Sequence, residues 1–284
     1  MKLYVDIGNS RIAWLLYNQG PVDDPTQEPD EDVDGGEELA RGHSGDLTEL
    51  IADITDATKR LEAITAKIHH IRVGCVLQDK ERREALLNGI ASHWGIEPQL
   101  ARTLKNHKGL TIAYDDPAKL GVDRWLALLA ATQMPASMSA PLPSAQLIID
   151  VGTATTVDLL VASRHLGGLI VPSKGLMTDA FISRTQLQLS PDSNKQRGTH
   201  IKDEKWGTDS ESCLYLGVER MFASFMLQLA DDFFRDYPAG RLLISGGGGE
   251  GLYRFINAEY ADIAKKRDLV YASHLVCRGL NYCF

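Results

Sequence analysis

Apolar positions recur along this chain with two periods. Leu3-Tyr4-Val5 and Ile12-Ala13-Trp14-Leu15-Leu16-Tyr17 are short apolar runs that predict two strands joined by a tight turn. From Asp46 to Lys67, Leu47, Leu50, Ile51, Ile54, Leu61 and Ile64 follow helical spacing with one face inward. Ile71 to Leu77 predicts a strand. Asp79 then predicts the N-cap of a helix that runs to Trp94 and stops at Gly95. Arg124 to Met134 predicts a further helix. Pro135 to Ser144, rich in small residues and proline, predicts a linker. Three apolar runs follow at 147–151, 157–162 and 166–171, and the last carries Gly167-Gly168, which suits a bulge or close backbone approach. Helical patterns flank Arg241 to Ser245, which predicts the final strand and ends in Gly246-Gly247-Gly248-Gly249.

One pattern occurs twice. Asp6-Ile7-Gly8-Asn9-Ser10 and Asp150-Val151-Gly152-Thr153-Ala154-Thr155-Thr156 each sit between apolar runs, about half the chain apart. Strand, Asp-x-Gly-polar turn and strand, repeated, predicts two related lobes facing across a cleft. Glycine lets the backbone approach a bulky anion, and the small polar residues offer donors to phosphate oxygens. An aspartate at the strand end can hold a hydrated metal ion. A single copy would read best as a hairpin turn. Two matched copies predict a nucleotide clamp.

Composition narrows the class. With 284 residues, 44% hydrophobic and 24% charged, the chain can bury one large core or two small ones. No apolar run approaches the ~20 residues of a membrane helix, and Asp6 interrupts any N-terminal signal core. Neither a membrane nor a secretory route is expected. The net charge of −8 argues against a nucleic-acid partner. Residues 21–40 hold nine Asp and Glu and no Lys or Arg, and without them the remainder sums to +1. Residues 20–45 therefore read as an exposed acidic excursion. Cys75, Cys213, Cys277 and Cys283 form no Cys-x-x-Cys pair and read as reduced thiols, mostly in the core, with Cys283 left open.

A third site lies at Tyr114-Asp115-Asp116-Pro117-Ala118-Lys119-Leu120-Gly121-Val122-Asp123-Arg124. An aspartate at a helix start is favoured by the helix dipole alone. In a cleft, Asp123 would accept the proton of an attacking hydroxyl and Arg124 would grip a carboxylate at two points. The glycine run after Ser245 suits a backbone surface for a nucleoside.

The ordered set resembles the type III pantothenate kinase family, within the actin-like superfamily of sugar kinases, acetate kinase and actin. The matching residues are the two aspartate turns, Tyr114 with Pro117 and Leu120 to Arg124, Gly167-Gly168 with Pro172, Gly207-Thr208, and Ser245-Gly246-Gly247. The resemblance implies an α/β fold of two actin-like, ribonuclease H-like lobes. Each has a mixed sheet flanked by helices, with an ATP cleft between them. The lobes would span 1–145, with 21–45 as an acidic surface insertion, and 146–284. It implies ATP-dependent phosphorylation of pantothenate, the first step of coenzyme A synthesis, in the cytoplasm.

The resemblance also assigns roles. Asp123 would be the general base. Asp6, Gly8, Asn9, Ser10, Arg11, Gly152, Thr153, Gly246 and Gly247 would bind ATP, with Mg²⁺ held near Asp6 through water. Tyr114, Gly121, Val122, Asp123, Arg124 and Thr208 would bind pantothenate. Asp150 would hold a monovalent cation, K⁺ or NH₄⁺. The implied assembly is a homodimer. Ala13 stands where relatives often carry lysine, and Ser173 follows Pro172 where glycine is common. Another kinase or phosphatase of the superfamily, or a non-catalytic accessory protein, are the alternatives. The Gly-Val-Asp-Arg segment opposes the first, and the three intact aspartates oppose the second.

Overall fold

The two N-terminal apolar runs form one ladder in the computed structural model, which describes residues 1–18, 37–61, 67–134, 143–185, 206–260 and 267–284. Strand β1 (Lys2–Ile7) pairs antiparallel with β2 (Ile12–Asn18). On its other edge β1 pairs in parallel with β4 (His70–Cys75). With β3 (Glu37–Ser44) and β5 (Gln99–Leu100), the five-stranded sheet has the order β3-β2-β1-β4-β5. Its mixed pattern, antiparallel at β1–β2 and β2–β3 but parallel at β1–β4 and β4–β5, is the α/β arrangement expected.

Leu3, Val5 and Ile7 alternate inward from β1 and meet Leu50 and Ile54 of α1 (Leu47–Arg60) and Ile90 of α2 (Lys80–Trp94). Each such buried side chain contributes roughly 1.5–3 kcal/mol. Both helices start where their cap residues predict. Asp46 accepts from the Glu49 amide, and Asp79 accepts from the Arg82 amide. Gly95 ends α2 in the left-handed region at φ 66° and donates to the Ala91 carbonyl.

The second sheet has the order β12-β11-β8-β9-β10-β7-β6. Its strands are β6 (Asn106–His107), β7 (Leu110–Thr111), β8 (Ala145–Val151), β9 (Ala154–Val161), β10 (Arg164–Pro172), β11 (Arg241–Ser245) and β12 (Asp268–Tyr271). The remaining helices are α3 (Val122–Gln133), α4 (Lys174–Arg184), α5 (Ser210–Asp236), α6 (Gly249–Glu259) and α7 (Leu275–Gly279). The chain divides into two compact units. One holds Met1–Ile148, Asp158–Gly167 and Ala272–Phe284; the other holds Ile149–Val157 and Gly168–Tyr271.

Some expectations need correction. The acidic excursion was expected to run to residue 45, but Glu37–Ser44 is a strand paired with β2. Its Leu39 and Ala40 pack on the core, a signal hidden by the acidic residues before them. Residues 19–36 lie outside the described residues, as do 62–66 of the expected first helix and 135–142 of the expected linker. Arg241–Ser245 is not the last strand, because β12 pairs with it in parallel. Cys277 and Cys283 are buried as core thiols, whereas Cys75 is half-buried and Cys213 is exposed. Among the described residues no helix is long and apolar enough to cross a membrane.

Candidate active site

The first aspartate turn belongs to the first unit. Asp6 is half-buried near the end of β1, and the chain reverses at once through Gly8, whose amide donates to the Arg11 carbonyl at 3.0 Å. A Cβ on Gly8 would stand 3.1 Å from that same carbonyl oxygen, which favours glycine here. Asn9, Ser10 and Arg11 are exposed on the turn. Asp6 also faces Gly74 of β4 in register. A Cβ on Gly74 would lie 3.7 Å from Asp6 Oδ1 and 2.8 Å from Leu126 of α3. Helix α3, which carries Asp123 in its first turn, is thus packed one turn later against the strand beside Asp6.

Asp123 sits in the first turn of α3, after Gly121 at the N-cap. Its Oδ1 accepts from the Arg124 amide at 2.8 Å. A Cβ on Gly121 would come within 2.5 Å of that oxygen, so glycine makes room for the carboxylate. Burial raises the Asp123 pKa above the ordinary range. The Arg124 amide and charge oppose the rise, and the charge of Asp158 adds to it. Val122 begins the helix, half-buried.

Arg124 is 7% exposed and already engaged. Its Nε and Nη2 hold the carboxylate of Asp158 on β9 at 2.9 and 2.5 Å. Its Nη1 donates to the Tyr114 hydroxyl at 3.2 Å. Burial opposes the Arg124 charge, but the hydrogen bonds and charge of Asp158, with Tyr114, outweigh it and hold its pKa above the ordinary value. Asp158 also accepts from His165 Nε2 at 2.9 Å, and the His165 ring stacks on Tyr114 with centroids 6.1 Å apart. The two-point grip expected of Arg124 is therefore directed at a residue of the chain itself. Sequence reasoning missed Asp158 and His165. The available signal was a charged residue inside the apolar run Val157 to Val161.

The second unit holds the other turn. The Gly152 amide donates to the Ala154 carbonyl at 3.0 Å, with Asp150 half-buried at the end of β8 and Gly152 and Thr153 exposed. The glycine run lies against this turn. Gly246 has φ 86°, and a Cβ there would meet the Val151 backbone oxygen at 2.5 Å. The Gly248 amide donates to the Val151 carbonyl at 2.9 Å. Gly246 and Gly247 are thus brought beside Asp150 to Thr153. Thr208 stands on another element, ahead of α5, where its amide bonds the Ser212 hydroxyl next to the Asp209 cap.

The first unit carries an aspartate turn and an aspartate with raised proton affinity at a helix start, and the second an aspartate turn beside a glycine run. Residues 2–232 match the family model of the type III pantothenate kinases. The chain belongs to the type III pantothenate kinase family. A type III pantothenate kinase of Halorhodospira halophila is 32% identical, with 88% of each chain covered. One from Idiomarina loihiensis is 28% identical over 99% of this chain and 97% of that protein. One from Albidiferax ferrireducens is 35% identical, with 64% of each covered. The chain spans just under two thirds of the length of that relative, and 62% and 65% of two others at 33% identity.

Proposed function

We propose that the protein transfers the γ-phosphoryl group of ATP to the primary hydroxyl of pantothenate. The observation that carries this is the half-buried Asp123 carboxylate, seated by Gly121 at the start of α3 with Arg124 beside it. The hydroxyl oxygen attacks phosphorus, ADP leaves, and Asp123 accepts the hydroxyl proton. Such a base supplies ~100- to 10,000-fold. Tyr114, Gly121, Val122, Arg124 and Thr208 are assigned to pantothenate. Asp6, Gly8, Asn9, Ser10, Arg11, Gly152, Thr153, Gly246 and Gly247 are assigned to ATP.

Among the described residues no group of three or more His, Cys, Asp or Glu could hold a metal ion. Asp6 alone fits Mg²⁺ that arrives on the nucleotide, because that ion keeps waters and needs only one or two carboxylates beside phosphates. Bound there, Mg²⁺ neutralises phosphate charge. Asp150 is assigned to a monovalent cation, K⁺ or NH₄⁺. The family assignment favours a cytoplasmic enzyme. A homodimer is supported by Leu169, Ile170, Leu176, Phe181 and Met221, exposed on β10, α4 and α5. Sedimentation velocity reads that assembly, and a monomer at micromolar concentration would refute it.

The test is a coupled ADP-release assay with and without pantothenate. Turnover that needs pantothenate supports the reading. Turnover on a sugar instead, or none at all, refutes it.

A further inference from the structure

Arg124, Asp158, His165 and Tyr114 close a ring of side chains. Asp158 takes the Nε–Nη2 edge of Arg124, and His165 Nε2 meets Asp158 Oδ1. Tyr114 stacks on His165 and receives Arg124 Nη1. Asp158 and His165 are each 3% exposed. The tautomer of the histidine follows from its neighbours. Its Nδ1 faces the Ala113 amide at 3.5 Å, which only donates, so the ring proton belongs on Nε2 and points at Asp158. The carboxylate then accepts from both Arg124 nitrogens and from His165.

A buried ion pair of this kind adds little net stability, because desolvation offsets the attraction. Its effect is to fix direction. Arg124 has five N–H donors; Asp158 takes one each from Nε and Nη2 and Tyr114 takes one from Nη1, so one N–H on each Nη is left for a ligand. Arg124 also follows Asp123 in the first turn of α3, so the pair that fixes one side chain fixes the backbone amide held by the other. The charge of Asp158 opposes the pull of Arg124 on the Asp123 proton.

We propose that Asp158, oriented by His165, is a positioning residue for phosphoryl transfer. It holds Arg124 so that the two remaining Nη N–H groups and the Asp123 carboxylate address the pantothenate together. This rests on the function proposed above, so wild-type turnover with pantothenate is measured first; its absence refutes that function and not the geometry argued here.

Four variants test the proposal in an enzyme that turns over. Asp158→Asn should lower kcat/KM for pantothenate by about 100-fold, the scale of a misplacement near 1 Å, with KM for ATP changed less than about twofold. The acidic limb of its pH profile should move to lower pH, since an uncompensated Arg124 weakens the hold of Asp123 on its proton. His165→Gln, which can place an amide N–H where Nε2 lies, should retain most of the rate that His165→Ala loses. In an Arg124→Lys background, Asp158→Asn should have little further effect, because both changes break one grip. An unmoved acidic limb with additive losses in the double variant would overturn the proposal. Should Asp158→Asn not fold, the His165 pair decides alone. Equal rates in His165→Gln and His165→Ala would then sink it.

Discussion

Asp6 and Ala13 face each other across the β1–β2 ladder, as direct register partners. Partners in such a ladder project from the same face with Cβ atoms about 5 Å apart. A lysine at 13 would therefore put an ammonium beside the Asp6 carboxylate, at the end of the strand where ATP is assigned. Ala13→Lys should lower KM for ATP about fivefold, the equivalent of ~1 kcal/mol for an exposed charge near its partner. The gain should shrink in high salt. An unchanged KM at low ionic strength would mean that the nucleotide lies elsewhere.

Asp123→Asn separates chemistry from stability. The amide oxygen can still accept from the Arg124 amide, but it takes no proton, so kcat should fall ~100-fold or more. Burial raises the pKa of Asp123 in the folded chain. Between the unfolded and folded pKa values the folded state binds more protons, so stability falls as pH rises through that window. At neutral pH the charged carboxylate is a cost, and the variant should melt at a higher temperature than wild type. A variant both slow and less stable would contradict this account.

The chain announces its local devices more clearly than its long-range ones. Asp79 and Gly95 cap α2 because capping is decided within four residues. The two aspartate turns and the start of α3 were legible for the same reason. Strand β3 was not, because its inward Leu39 and Ala40 follow a run of acidic residues that reads as solvated. Strand β12 is four residues long and gains its identity from pairing with β11. Asp158 acquires meaning only when β9 brings it to Arg124, across 34 positions of sequence. The glycine run read as a nucleoside surface, and the structure adds a packing reason in the Val151 backbone.

That packing makes Gly246 sensitive. At φ 86° any side chain is strained by about 1–2 kcal/mol, and the new Cβ would strike the Val151 backbone. Gly246→Ala should lose at least ~2 kcal/mol in urea unfolding and weaken ATP binding, since the turn after Asp150 must shift. Gly251 has φ outside that region and open space around it, so Gly251→Ala is the control expected to be neutral.

Arg72 ties down the C-terminal segment. It is 7% exposed, donates to the Leu280 and Asn281 carbonyls at 3.0 Å each, and lies over the Phe284 ring. Arg72→Ala strips one buried and one half-buried carbonyl of a charged donor and should cost about 3 kcal/mol. The Cys283 thiol, whose pKa burial pushes up to about 12, is unreactive while that segment is docked. Thiol labelling at pH 8 should therefore reach Cys283 faster in the variant. Equal labelling rates would show that the segment is held by something other than Arg72.

The last prediction concerns Asp150 and a monovalent cation. Asp150 is half-buried at the end of β8, and the backbone beside it is fixed by the Gly248 amide on the Val151 carbonyl. A carboxylate placed there against a triphosphate would suffer both partial desolvation and like-charge repulsion. A monovalent cation between them removes both costs. K⁺ or NH₄⁺, being weakly hydrated, enters an oxygen-lined site more readily than Na⁺. Rates in Tris buffer with K⁺, NH₄⁺ or Na⁺ as the only added monovalent salt, at matched ionic strength, should be higher with the first two. Asp150→Asn should lose that preference and bind nucleotide more weakly while keeping the wild-type melting profile. Equal rates in the three salts, or an intact K⁺ response in Asp150→Asn, would rule the cation site out.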